Sequence, residues 1–155
     1  MESKIPDWTG NLPFKPDKKE PVKIDSNDMG ETAIYGEGNQ RICCYTYIST
    51  DNILISQWIV PPGQSFQPPD IHSGDEPYYV LKGEAHVFNP ETGQLAFAKE
   101  GDVIFIPRQT WHQVYNFSDK DVDIIAIIAG KPWEKKDMDQ VAEKGVKSVF
   151  YNEEK

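Results

Sequence analysis

A chain of 155 residues is the length of one domain whose core needs no disulfide or metal staple. Its net charge of -9, from 25 acidic against 16 basic residues with no basic cluster, argues against a nucleic-acid partner. No run reaches membrane-spanning length, and residues 1–19 lack the apolar centre of a signal peptide, so the expectation is a cytoplasmic protein with no membrane partner.

Residues 1–30 are rich in Pro, Lys, Asp and Asn, with Trp8 and Phe14 as isolated large apolar groups. They read as an irregular arm that lays those two aromatics on the domain or on a partner subunit. From residue 32 the pattern changes. Runs at 32–35, 41–49 and 52–60 are β-branched or aromatic, and the last two predict a hairpin. Cys43 and Cys44 lie in the second run and would face opposite sides of it, which leaves two free thiols. Pro61-Pro62-Gly63 ends the third run, because proline cannot donate to a ladder. Further strands are predicted at 76–81, 84–88, 94–99, 103–106, 112–117 and 122–129, separated by Gly, Asn, Asp and Pro turns. Many short strands at even spacing indicate an all-β sandwich or barrel. Residues 133–143 have helical spacing (Trp133, Met138, Val141, Ala142), with Gly145 as a stop, and 146–151 would add an edge strand. The chain thus divides into an arm (1–30), a β-barrel (31–130) and a C-terminal helix and tail (131–155). An exposed barrel edge and the apolar arm point to a homodimer.

The chemistry concentrates in two stretches. Asp70 and His72, two apart, point the same way on extended chain. Glu76 follows a Ser73-Gly74-Asp75 kink that turns a second extended segment back toward the first. Residues 101–116 supply one more histidine, His112.

These stretches resemble the two motifs of the cupin superfamily. The first is carried by Gly63, then Asp70-Ile71-His72, three residues, Glu76, six residues, Gly83. The second is carried by Gly101, five residues, Pro107-Arg108-Gln109, two residues, His112, three residues, Asn116. The resemblance implies a double-stranded β-helix barrel of jelly-roll type holding one divalent metal ion (Fe, Mn, Ni or Zn), with His72, Glu76 and His112 at ligand positions. There are three departures. The gap after Gly63 is one residue longer than the family's, Gln109 stands where the second motif has glycine, and Asp70 stands where the first ligand histidine belongs. Asp70 is either a fourth ligand or an outer acceptor that orients His72. Two imidazoles and a carboxylate form a facial set with open positions. A second carboxylate would leave the site nearly neutral and the metal a poorer Lewis acid.

Other residues are read against their structural alternatives. Tyr78 shares the inward face of Glu76 and is a candidate acid–base group or a core tyrosine. His86 has no motif and is read as packed or exposed. Trp58, Phe66, Phe105, Trp111, Tyr115 and Phe117 are read as barrel lining or core, with one or two walling the pocket. Asn116 is expected to tie down backbone near His112, and Arg108 to be a solvated surface residue. The function implied is a metal-dependent enzyme acting on a small oxygenated metabolite, of dioxygenase, sugar isomerase or epimerase, decarboxylase or lyase type. The alternative is a non-catalytic module that binds a small molecule.

Overall fold

The computed structural model describes residues 9–13, 15, 17, 19–25, 30–35, 41–66, 69–130 and 149–152. The segment expected to be helical, 133–143, and the arm's Trp8 and Phe14 lie outside the described residues. Among those described there are ten strands and no helix long and apolar enough to cross a membrane. The strands are β1 (Gly30–Tyr35), β2 (Arg41–Ser49), β3 (Ile53–Val60), β4 (Glu76–Lys82), β5 (Glu84–Phe88), β6 (Leu95–Lys99), β7 (Val103–Ile106), β8 (Gln113–Tyr115), β9 (Val122–Ala129) and β10 (Val149–Asn152). They form an antiparallel seven-stranded sheet, ordered β10-β1-β2-β3-β9-β4-β7, and a three-stranded sheet, ordered β6-β5-β8. Together these make the expected all-β jelly-roll barrel. The predicted 112–117 strand is shorter, Gln113–Tyr115, because the pairing with β5 covers only those three residues.

Alternation decides which side of each strand faces inward. Along β9, Val122, Ile124, Ala126 and Ile128 are buried and the residues between them are not. The β2–β3 hairpin forms as expected, with a register shift between Thr46 and Ile48. Cys43 and Cys44 are both free thiols, and Cys44 is fully buried. Burial pushes its thiol up to about 12, beyond the help of Thr46 and Ser56, so it stays protonated. The core lies between the sheets, where Val60, Val80 and Ile124 meet Ala85, Val87 and Val114. The arm is tied to the hairpin by paired backbone hydrogen bonds between Leu12 and Ser49 (3.0 and 2.9 Å).

Two expectations about aromatics are corrected. Phe105 and Phe117 are not barrel lining: they are 60% and 65% exposed. Phe105 sits at an outward position of β7, whose exposed–buried alternation puts Ile104 and Ile106 inside. Phe117 stacks on Tyr115 outside the barrel (5.3 Å) and lies beside His86 (5.0 Å).

The long connection from β3 to β4 does not form a strand of its own, yet it is held as one. Bridges Ser65–Tyr115 and Asp70–His112 lay it beside β8. Asn116 locks the end of this assembly. Its amide donates to Val60 O (2.8 Å) and Lys120 O (2.7 Å), and its carbonyl accepts from Ser118 N and Oγ. Because Asn116 is fully buried, Asn116→Ala would take from Val60 O its side-chain donor and leave Lys120 O with Ser118 Oγ. We expect a loss of about 2 kcal/mol in urea unfolding, measured as a lower midpoint at unchanged slope.

Candidate metal centre

Three local devices bring the two motifs together. The first is the Asp70–His112 bridge, in which each backbone N–H donates to the other residue's carbonyl (2.8 and 3.0 Å). The second is Gln109, which occupies the left-handed region (φ 59°) that usually favours glycine. There its backbone N–H (2.8 Å) and side-chain amide (3.2 Å) both donate to the carbonyl of His72. The residue that replaces the family's glycine therefore holds one candidate ligand's backbone. The third is the kink before β4. A side chain on Gly74 would place its Cβ 1.7 Å from Ala129 O, so only glycine lets the kink press against the end of β9. Asp75, the turn residue, accepts from Arg108 N (2.9 Å) through its carboxylate. Arg108 itself is exposed, as expected.

The result is a buried group formed by His72, Glu76 and His112, whose ligand atoms all lie within 4.8 Å of one another. Glu76 Oε2 is 2.9 Å from His112 Nε2 and 3.5 Å from His72 Nε2. His112 Nδ1 lies 2.9 Å from Thr110 O, and the carbonyl can only accept. That fixes the proton on Nδ1 and turns the lone pair of Nε2 toward Glu76. Glu76 Oε2 and the Nε2 of a neutral His112 are then two acceptors facing each other at 2.9 Å. A proton or a cation must lie between them. Spacings of 2.9 and 3.5 Å suit adjacent ligands on an ion with bonds of about 2.1 Å, which stand about 3 Å apart.

Electrostatics carries the same message. Burial works against charge on His112, but Glu76, the contact to it, Asp70 and the Thr110 carbonyl together raise its pKa to about 9. Burial likewise works against the Glu76 carboxylate, and the His72 and His112 rings outweigh it and hold its pKa below the usual value. Without a metal, this centre traps a proton.

Asp70 stands beside the group. Its Oδ2 is 3.4 Å from His72 Nε2, the nitrogen that also faces Glu76, while Oδ1 accepts from Ile71 N (2.8 Å). His72 Nδ1, the remote nitrogen, has no hydrogen-bond partner. Tyr78 is buried, with its ring 6.0 Å from that of His112. Burial first, then the charges of Glu76 and Asp70, raise its pKa well above the ordinary tyrosine value, so it is a neutral phenol. His86 stays outside the group and packs on Phe97 (5.0 Å) and Phe117. Of the six aromatics read as lining or core, two line the cleft beside the group, Trp58 and Phe66. They were among six aromatics of equal standing in the sequence. Only the pairing of β3 with β9, and the bridge beside β8, single them out.

Residues 56–128 match the family model of the cupin domain, and the chain carries a cupin domain over that stretch. The motif resemblance to the cupin superfamily therefore holds. No curated protein matches the sequence. Among solved structures, the chain is similar to a predicted oxalate decarboxylase from Thermotoga maritima, at 22% identity and a TM-score of 0.60, covering 70% of this chain and 99% of that one. It is similar to the polyketide cyclase RemF from Streptomyces resistomycificus, at 19% identity and a TM-score of 0.59, covering 86% and 89%. A DMSP lyase from Ruegeria pomeroyi is similar at 23% identity and a TM-score of 0.51, covering 58% of this chain and 47% of that one. At these identities the likeness is one of fold, and the three named activities differ, so the site must speak for the chemistry.

Proposed function

We propose that this cupin is a metal-dependent enzyme that binds one divalent ion through His72, Glu76, His112 and Asp70 and acts on a small oxygenated metabolite chelated to it. The observation that supports this most is the convergence of three buried side chains, His72, Glu76 and His112, whose ligand atoms all lie within 4.8 Å of one another. Asp70 belongs to the ligand set because it faces Nε2 of His72. A residue that only oriented the ring would take the remote nitrogen. Two carboxylates and two imidazoles favour Fe(II) or Mn(II) over softer ions. An ion so held would polarise a substrate oxygen, mildly, since the carboxylates nearly cancel its charge.

The chain's own residues supply the rest. Tyr78, kept protonated and hydrogen-bonded to Glu76, is the candidate to exchange a proton with a substrate oxygen. Trp58 and Phe66 exclude water from the mouth. The test is elemental analysis of purified protein, with close to one Fe or Mn per chain expected. Metal below about a tenth of that after loading would end the proposal. Asp70→Ala is expected to weaken metal affinity by more than about 100-fold in a chelator competition, and a loss of only 10–100-fold or none would remove Asp70 from the ligand set.

A further inference from the structure

Residues 108–110 touch the chain at or beside every member of the buried group. The backbone N–H of Arg108 donates to Asp75 Oδ1 (2.9 Å), one residue before Glu76. Gln109 donates to the carbonyl of His72, from its backbone N–H (2.8 Å) and from its side-chain amide (3.2 Å). The carbonyl of Thr110 accepts from Nδ1 of His112 (2.9 Å). One tripeptide thus ties together the segments that carry His72, Glu76 and His112.

The two imidazoles are steadied in different ways. Their ring centroids are 5.4 Å apart, with the planes tilted by 53°. A histidine that ligates metal is ordinarily oriented by a hydrogen bond from its remote nitrogen. His112 has that bond. The remote nitrogen of His72, Nδ1, is buried and has no hydrogen-bond partner among the described residues. The aim of the His72 ring therefore depends on where its backbone is held, and Gln109 holds it at the carbonyl with two donors. At φ 59° glycine would sit without strain, keep the backbone bond and lose the second donor. Glutamine carries the strain and supplies that donor. We infer that Gln109 is a positioning residue for the centre: its side-chain amide, by holding the His72 carbonyl, aims the His72 ring at the ion. The inference rests on the metal reading above, since the ion is what the ring is aimed at.

Two variants of the full chain separate aiming from folding. Gln109→Met keeps the side-chain length and the strained backbone and removes the donor. Gln109→Gly removes the donor and relieves the strain. Metal-free Gln109→Gly should therefore melt at a higher temperature than metal-free Gln109→Met. Both should nonetheless bind Mn(II) about tenfold more weakly than wild type in a chelator competition. That is the low end of what loss of an outer partner costs, because the backbone bond remains. The manganese EPR lines of both variants should be broader than those of wild type, since a ring without its tether spreads the ligand geometry. Affinity that followed melting temperature, with Gln109→Gly binding as tightly as wild type, would assign the amide to folding and overturn the inference. Wild-type affinity and line width in both variants would overturn it too, and would leave the metal reading standing. Wild-type protein that takes up no Mn(II) sinks the metal reading instead. Imidazole nitrogen NMR on the metal-free proteins then decides the tether by itself: one sharp set of His72 signals is expected in wild type and broadened signals in both variants. Equal line shapes in all three would show that Gln109 does not aim the ring.

Discussion

Replacing His112 with alanine is expected to empty the centre of metal. His112 is 3% exposed, its ring is fixed by Thr110 O, and its Nε2 is the closest nitrogen to Glu76. No other described side chain is positioned to take its place, because His86 lies on the outside of the small sheet against Phe97. Loss of outer residues that merely steady a ligand typically costs 10–100-fold in metal affinity, so loss of this ligand should cost more than about 100-fold. The fold should survive, since the bridge at this position is made by backbone atoms of Asp70 and His112. Elemental analysis of the variant should find less than about a tenth of the wild-type content at equal loading. A variant that kept its full complement of metal would remove His112 from the site and the proposal with it.

The second large effect is one of pH. Metal-free protein is expected to lose stability as pH rises from 6.5 through about 9. The folded protein holds a proton on His112 more tightly than the unfolded chain does, so that proton stabilises the fold fully below 6.5. As pH rises toward 9 the stabilisation disappears, because by then the proton has left the folded state as well. The rise from 6.5 to about 9 sets a ceiling of about 3 kcal/mol, or a fall of at most roughly 6–12 °C in melting temperature for a chain of this size. Glu76, whose pKa is depressed, acts in the opposite direction. Its contribution is present above its model value of 4.5 and fades as pH falls through the lowered value. Loading with metal replaces the proton between Glu76 and His112, so the loaded protein should melt at nearly the same temperature across that range. Calorimetry with and without a chelator checks both halves. A chelated protein whose melting temperature held level or rose between pH 6.5 and 9 would show that the two groups are not coupled as described.

Much of this was legible in the sequence because it is local. Period-two alternation and Gly or Asn turns mark nearly every strand, and the spacing of His72, Glu76 and His112 marks the centre. Facts that depend on long-range register were not legible. Nothing near Phe105 or Phe117 distinguishes a ring that faces water from one that faces the core, since that depends on which sheet the strand joins. Strands 84–88 and 76–82 are adjacent in the chain yet lie in different sheets, and the sequence between them is only Gly83. Which nitrogen of His72 the Asp70 carboxylate faces, Nε2 at 3.4 Å, depends on the path of the β3–β4 connection and could not be read from the spacing. Gln109 stands in the sequence only as a departure from the motif's glycine, and its hold on the His72 carbonyl depends on a backbone conformation that no local pattern announces.

The backbone bridge between residues 70 and 112 has an evolutionary consequence. Main-chain atoms set the distance between the two motifs, so the identity of the side chain at 70 does not determine whether the barrel forms. An imidazole can give way to a carboxylate there, and the charge beside His72 changes by a whole unit while the backbone bridge stays the same. The side chain at 70 is thus free to change the electrostatics of the centre without breaking the bridge that joins the two motifs.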